Sequence, residues 1–165
     1  MKIGFNEGCD RYCANHTVLD DLEYCEKYGF DYIDIQSECL DRDLAAGKCT
    51  LEQLGEWFST HHLKMLSYNA LCGFNMKSTQ AEKNAVLAEL DEIVRRCGIL
   101  GCSMIVVVPT QNISVHATRS EIRADAVEVL REMLKHVEPH GIRLSLEFCG
   151  YYDGQEIVKV EAEAK

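Results

Sequence analysis

Five short apolar runs, partly β-branched, recur along the chain at residues 3–6, 32–36, 65–69, 104–109 and 143–148. Successive runs begin about 30 to 40 residues apart, the span of one strand–helix unit in an alternating α/β fold. Four segments with helical spacing of apolar residues lie between them. The first covers about residues 18–28, with Leu19, Leu22, Tyr24 and Cys25 placed to face a sheet and Gly29 where a helix would end. The second, about 51–61, opens on Thr50 and Gln53 at capping-box spacing. The third, about 80–100, carries Val86, Leu87, Leu90, Ile93 and Val94 on one side, with Gly101 beyond its end. The fourth, about 121–137, opens on Thr118 and Glu121 and is stopped by Pro139 and Gly141.

Strict strand–helix alternation with long crossovers means parallel pairing and right-handed connections. An open doubly wound sheet and a closed (β/α)₈ barrel both satisfy that order. The doubly wound fold binds nucleotides at a glycine-rich turn after its first strand, but the turn here, starting Glu7-Gly8-Cys9, has no such glycine fingerprint and no Walker lysine. The strands themselves point to a barrel. Ile33 and Ile35 oppose Asp34 and Gln36, Ser67 lies with Asn69, Ile3 and Phe5 oppose Gly4 and Asn6, and Leu144 and Leu146 oppose Arg143, Ser145 and Glu147. A sheet covered by helices on both faces should be apolar on both. A barrel has one face toward helices and one toward a lumen, with its chemistry at the carboxyl ends of the strands. Asn6, Gln36, Asn69 and Glu147 are therefore expected to converge on one mouth, with Asp34 beside them. The expected fold is a partial (β/α)₈ TIM barrel of about five parallel strands and four to five helices, spanning residues 1–150. Residues 151–165 read as a charged tail, weakly amphipathic as a helix.

Composition excludes several function classes. The net charge of −10 argues against a nucleic-acid partner, because phosphate contacts need a basic face. No apolar run approaches the roughly 20 residues that cross a bilayer, so no membrane span is expected. The first residues carry no signal-peptide pattern, which suggests the cytoplasm. Nine cysteines, an odd number with no C-x-x-C pair, read as small free thiols rather than a disulfide or zinc framework. The pair His61-His62 closes a helix, where positive charge suits the dipole. His116 reads as a solvated loop residue, and nothing near Cys149 would lower its pKa.

The stretches IGFNE (3–7), LEYCEKYG (22–29), FDYIDI (30–35), WFSTHH (57–62), YNAL (68–71), VVVP (106–109) and LSLEF (144–148) follow one another in order. With them the chain resembles the xylose-isomerase-like barrels of the sugar phosphate isomerase/epimerase superfamily and, within it, the inosose (2-keto-myo-inositol) isomerases of inositol catabolism. The resemblance covers about residues 1–150; the tail does not align. It implies a metal-dependent isomerase or epimerase that moves a proton between adjacent carbons of a keto-inositol or ketose through an enediolate. It also implies one divalent metal, Mn, Zn or Mg, held by a Glu of strand five and by an Asp, a His and a Glu of strands six to eight. Glu147 matches the first of these, as metal ligand and catalytic group. The other three positions lie beyond residue 165, so an impaired or inactive enzyme is expected.

Asn6, Gln36 and Asn69 are the candidate substrate-binding residues, for a small sugar or keto-inositol. Each has a plain alternative: amides that satisfy backbone groups at strand ends, and an ion pair between Glu147 and Arg143. Two other functions stay open, a non-catalytic half-barrel and an abasic-site endonuclease of the same superfamily. The charge and the lack of histidines ending strands three and four count against the endonuclease. Open barrel edges are further expected to favour self-association.

Overall fold

Each of the five apolar runs forms a strand: β1 (Gly4–Asn6), β2 (Tyr32–Gln36), β3 (Lys64–Cys72), β4 (Met104–Val108) and β5 (Arg143–Leu146). The computed structural model describes residues 1–9, 13, 16–110 and 117–147. His116, Cys149 and the charged tail 151–165 lie outside the described residues. The strands form one sheet in the order β1-β2-β3-β4-β5, with every pairing parallel. Neighbours in sequence are thus neighbours in the sheet, which is the order of a barrel wall rather than of a doubly wound sheet. Among the described residues β1 and β5 are its two edges.

Among the described residues five α-helices accompany the strands: α1 (Val18–Lys27), α2 (Ser37–Ala45), α3 (Leu51–Thr60), α4 (Gln80–Leu100) and α5 (Arg119–Val137). Four of them begin at a threonine whose hydroxyl accepts an N–H three residues on, while an acidic or amide side chain returns the bond. The pairs are Thr17–Asp20, Thr50–Gln53, Thr79–Glu82 and Thr118–Glu121. Such caps satisfy N–H groups that the helix leaves without partners. The sequence spacing anticipates the second and fourth; the first and third share the same chemistry. Helix α2 has no counterpart among the four segments read from the sequence.

The core lies between the sheet and the helices. Ile33, Ile35, Tyr68, Leu71, Ile105 and Val107 are buried on the sheet. They share one cluster with Leu22 and Cys25 of α1, Leu54 and Phe58 of α3, Leu90 and Val94 of α4, and Met133 and Val137 of α5. Helices α3 and α4 approach so closely at Gly55 that a Cβ there would sit 2.5 Å from the Ile99 carbonyl oxygen. Cys25, Cys39, Cys49, Cys97 and Cys102 are buried. No helix among the described residues is long and apolar enough to cross a membrane.

Several carboxylates are held below their usual range. For Asp43, burial opposes the charge, but the hydrogen bonds from Arg42 and the Val18 N–H outweigh it. Hydrogen bonds from Arg95 and Arg96 bring Glu92 down to about 2, and the capping bonds from Thr79 and Thr118 lower Glu82 and Glu121. The folded chain therefore binds fewer protons than the unfolded chain at these groups. Their stabilisation is complete above the unfolded carboxylate range of about 4 and is lost as pH falls through the depressed values. The exposed members contribute little each because solvent screens them. The melting temperature, followed by circular dichroism, is expected to hold between pH 7 and 5 and to fall steadily from about pH 4.5 to 2. A flat profile over that range would contradict it.

Candidate functional site

The face of the sheet that turns away from the helices carries the polar residues. Parallel partners share a face, so the register groups them directly: Asn6 pairs with Asp34, Asp34 with Ser67, Gln36 with Asn69, Asn69 with Val106, and Val106 with Ser145. The Glu147 N–H donates to the Val107 carbonyl at 3.0 Å, which carries the ladder one residue past β5. Glu147 then lies on the Ser145 face, one step closer to the mouth. Asn6, Gln36, Asn69 and Glu147 thus occupy the same face at the carboxyl ends of four strands.

A bulge makes this possible. Ile33 pairs with Met65, but Asp34 pairs with Ser67, so Leu66 is an extra residue in β3. Met65 and Ser67 would share a face in an unbroken strand. The insertion leaves Met65 in the core and turns Ser67 and Asn69 toward Asp34 and Gln36.

Three of the four predicted residues lie in a polar belt made of two hydrogen-bonded groups. The Gly8 N–H donates to Asn6 Oδ1 at 2.7 Å, and Gln36 Nε2 donates to the same oxygen at 3.2 Å. Next along the belt, Asn69 Nδ2 donates to Asp34 Oδ2 at 2.9 Å, and the Ser67 hydroxyl donates to Asp34 Oδ1. Below it, the buried carboxylate of Glu7 accepts the Gln36 N–H at 2.6 Å beside the start of α2, where negative charge suits the helix dipole. Sequence reading ranks Asp34 behind its neighbours and leaves Glu7 and Gly8 unassigned. Their roles depend on which strands meet, and the polar character of Asp34 in an apolar run is the one signal that marks it.

Glu147 is exposed and stands apart from this belt, across Val106 and Val108 of β4. Among the described residues no three or more His, Cys, Asp or Glu side chains gather to hold a metal ion. Catalytic metal sites generally need three protein ligands. Glu147 alone is one hard oxygen donor, and the described residues do not fit a complete centre. His61 and His62 lie at the opposite end of the strands. The His61 ring stacks on Trp57 at 4.0 Å between centroids, and His62 Nε2 is 3.4 Å from Asp31, the residue before β2. Their position agrees with a structural role.

Residues 22–162 match the family described as "Xylose isomerase-like TIM barrel". The chain belongs to that family. The match runs past Gly150 into the tail, beyond the motifs quoted above. An inosose isomerase of Bacillus velezensis is 35% identical over 152 residues, covering 92% of this chain and 52% of the relative. An inosose isomerase of Bacillus subtilis is 36% identical over 163 residues with the same coverage. The chain therefore spans about half the length of these relatives. The crystal structure of the IolI protein with a bound zinc atom superposes with a TM-score of 0.84 at 32% identity, covering 100% of this chain and 60% of that one. A D-psicose 3-epimerase in the presence of D-fructose has a TM-score of 0.68 at 15% identity, covering 93% of this chain and 54% of that one, and shares the fold.

Proposed function

We propose that the chain carries the amino-terminal half of a sugar isomerase or epimerase site that takes a keto-inositol or related ketose. The observation that carries this reading is the placement of Asn6, Gln36, Asn69 and Glu147 on one helix-free face at the strand ends. The inosose isomerases of similar sequence supply the substrate class. The reaction takes a proton from the hydroxyl-bearing carbon beside a ketone and leaves the electron pair on the carbonyl oxygen as an enediolate; the hydroxyl proton shifts to that oxygen, and a proton returns to the former carbonyl carbon, so the ketone moves by one position. A carboxylate at the mouth suits such a transfer, and Glu147 is the carboxylate assigned to it in this proposal. The amides of the belt suit the hydroxyls of the ring. A divalent metal, Zn, Mn or Mg, belongs to the same proposal. Glu147 would be one of its ligands, in company with donors outside the described residues.

The test is deuterium wash-in. The 165-residue chain is incubated with 2-keto-myo-inositol in heavy water, with and without stoichiometric Zn²⁺ or Mn²⁺, and proton NMR follows the signal beside the ketone. Exchange faster than the buffer and free-metal controls supports the reading. Exchange no faster than those controls, with no metal retained on dialysis, supports a non-catalytic half-barrel instead.

A further inference from the structure

The belt has a chemical direction that follows from what each group is able to do. A backbone N–H only donates, so the atom that Asn6 turns to Gly8 is its oxygen, and the amide nitrogen is left over. Gln36 meets that same oxygen, so it must donate with Nε2, and its Oε1 is left over. A carboxylate only accepts, so Asn69 gives Asp34 its Nδ2 and keeps Oδ1. Among the described residues these three remaining atoms have no other hydrogen bond. Gly8 is part of the arrangement, because a Cβ there would fall 2.8 Å from Asn6 Oδ1 and 3.3 Å from Gln36 Nε2. Ser67, which is buried, occupies the second oxygen of Asp34 and limits how that carboxylate turns.

We propose that Asp34 is a positioning residue that fixes the amide of Asn69, so that the mouth offers a ligand two acceptors, Asn69 Oδ1 and Gln36 Oε1, and one donor, Asn6 Nδ2. The proposal rests on the reading of the site as a polyol site and adds its selectivity. A neutral keto-polyol matches the pattern: two hydroxyls donate to the two amide oxygens, and a carbonyl or hydroxyl oxygen accepts from Asn6. A phosphorylated sugar does not. Its phosphate oxygens only accept, and here they would meet two amide oxygens and the Asp34 carboxylate in a chain already at −10. A site built from oriented polar groups rejects the ligand that leaves them unpaired.

Asp34→Asn tests this. An asparagine at 34 is able to donate, which lets the Asn69 amide turn over and offer NH₂ in place of oxygen. The experiment titrates the ¹⁵N-labelled chain with 2-keto-myo-inositol and, separately, with myo-inositol 1-phosphate, and reads the side-chain amide signals of Asn6, Gln36 and Asn69. In the wild-type chain all three signals are expected to move with the keto-inositol, and the phosphate is expected to bind at least about tenfold more weakly. In Asp34→Asn, keto-inositol binding should weaken about tenfold while phosphate binding does not, so the preference between them collapses. Asp34→Glu should recover part of it. A merely structural role for Asp34 would weaken both ligands alike. If Asp34→Asn does not fold, the preference and the Asn69 signal of the wild-type chain decide. Unchanged selectivity in a folded variant overturns the inference, as does a wild-type chain whose three amides respond to neither ligand. Deuterium wash-in by that same chain would leave the isomerase reading standing; amide shifts without wash-in would do the reverse.

Discussion

Glu147→Gln is expected to lower the rate of deuterium wash-in into 2-keto-myo-inositol by at least about a hundredfold, with no change in melting temperature. The substitution keeps the shape of the side chain and removes its ability to accept a proton or to bind a cation as an anion. Carboxylate acid–base catalysis contributes about 10²–10⁴ in rate, which sets the scale. Glu147 is exposed and glutamine keeps its size and its backbone bond to Val107, so the fold is expected to hold. Retention of Zn²⁺ on dialysis should fall in the same variant if the carboxylate is also a ligand. Ser145→Ala, on the same face two residues earlier, is the matched control and should change the rate by less than about threefold. Equal rates in Glu147→Gln and wild type would remove Glu147 from the chemistry.

The strands were legible because each is a short apolar run with a polar partner face, and that pattern is local. Helix α2 was not legible, for a physical reason. Its sequence, SECLDRDLA, follows directly on β2 with no side-chain cap of its own. The negative group beside its start is Glu7, brought from the end of β1 to the Gln36 N–H. Nothing within residues 36–45 announces a partner that lies 29 positions earlier. The helices with a threonine cap had their start written into their own sequence.

The shared polar face was legible in the sequence; the hydrogen bonds across it were not. Asn6, Gln36 and Asn69 could be named from alternation within single strands. Strict alternation along β3, however, places Ser67 and Asn69 with Met65, toward the helices. Only the extra residue Leu66 turns them to Asp34. A bulge is set by how two strands share hydrogen bonds, so one strand's sequence does not reveal it. The same holds for Gly8, whose missing side chain matters only because Asn6 and Gln36 meet above it. For Glu147 the sequence supplied the position on the strand; the resemblance, and not the spacing, supplied its metal.

The largest loss of stability should come from Asp43→Ala, about 3 kcal/mol by urea denaturation, or a fall in melting temperature of about 6–12 °C for a chain of this length. Asp43 is 0% exposed. It accepts the Val18 N–H at 2.8 Å, Arg42 Nε at 3.0 Å and Lys48 Nζ at 3.4 Å. Val18 is the first residue of α1, so one carboxylate on α2 holds the start of a different helix. Alanine would leave the N–H of a fully buried residue without its acceptor and two cations without their counter-charge. Removing one partner of such a buried set costs far more than the set gains over an apolar replacement. Asp43→Asn keeps an oxygen for Val18 and should lose about half as much. Arg42→Ala removes a half-exposed cation and should cost under about 1 kcal/mol. The acid limb of stability should flatten in Asp43→Ala, because the main buried proton acceptor is gone. An Asp43→Ala chain as stable as wild type, or one with an unchanged acid limb, would show that α1 and α2 are joined by their apolar contacts alone.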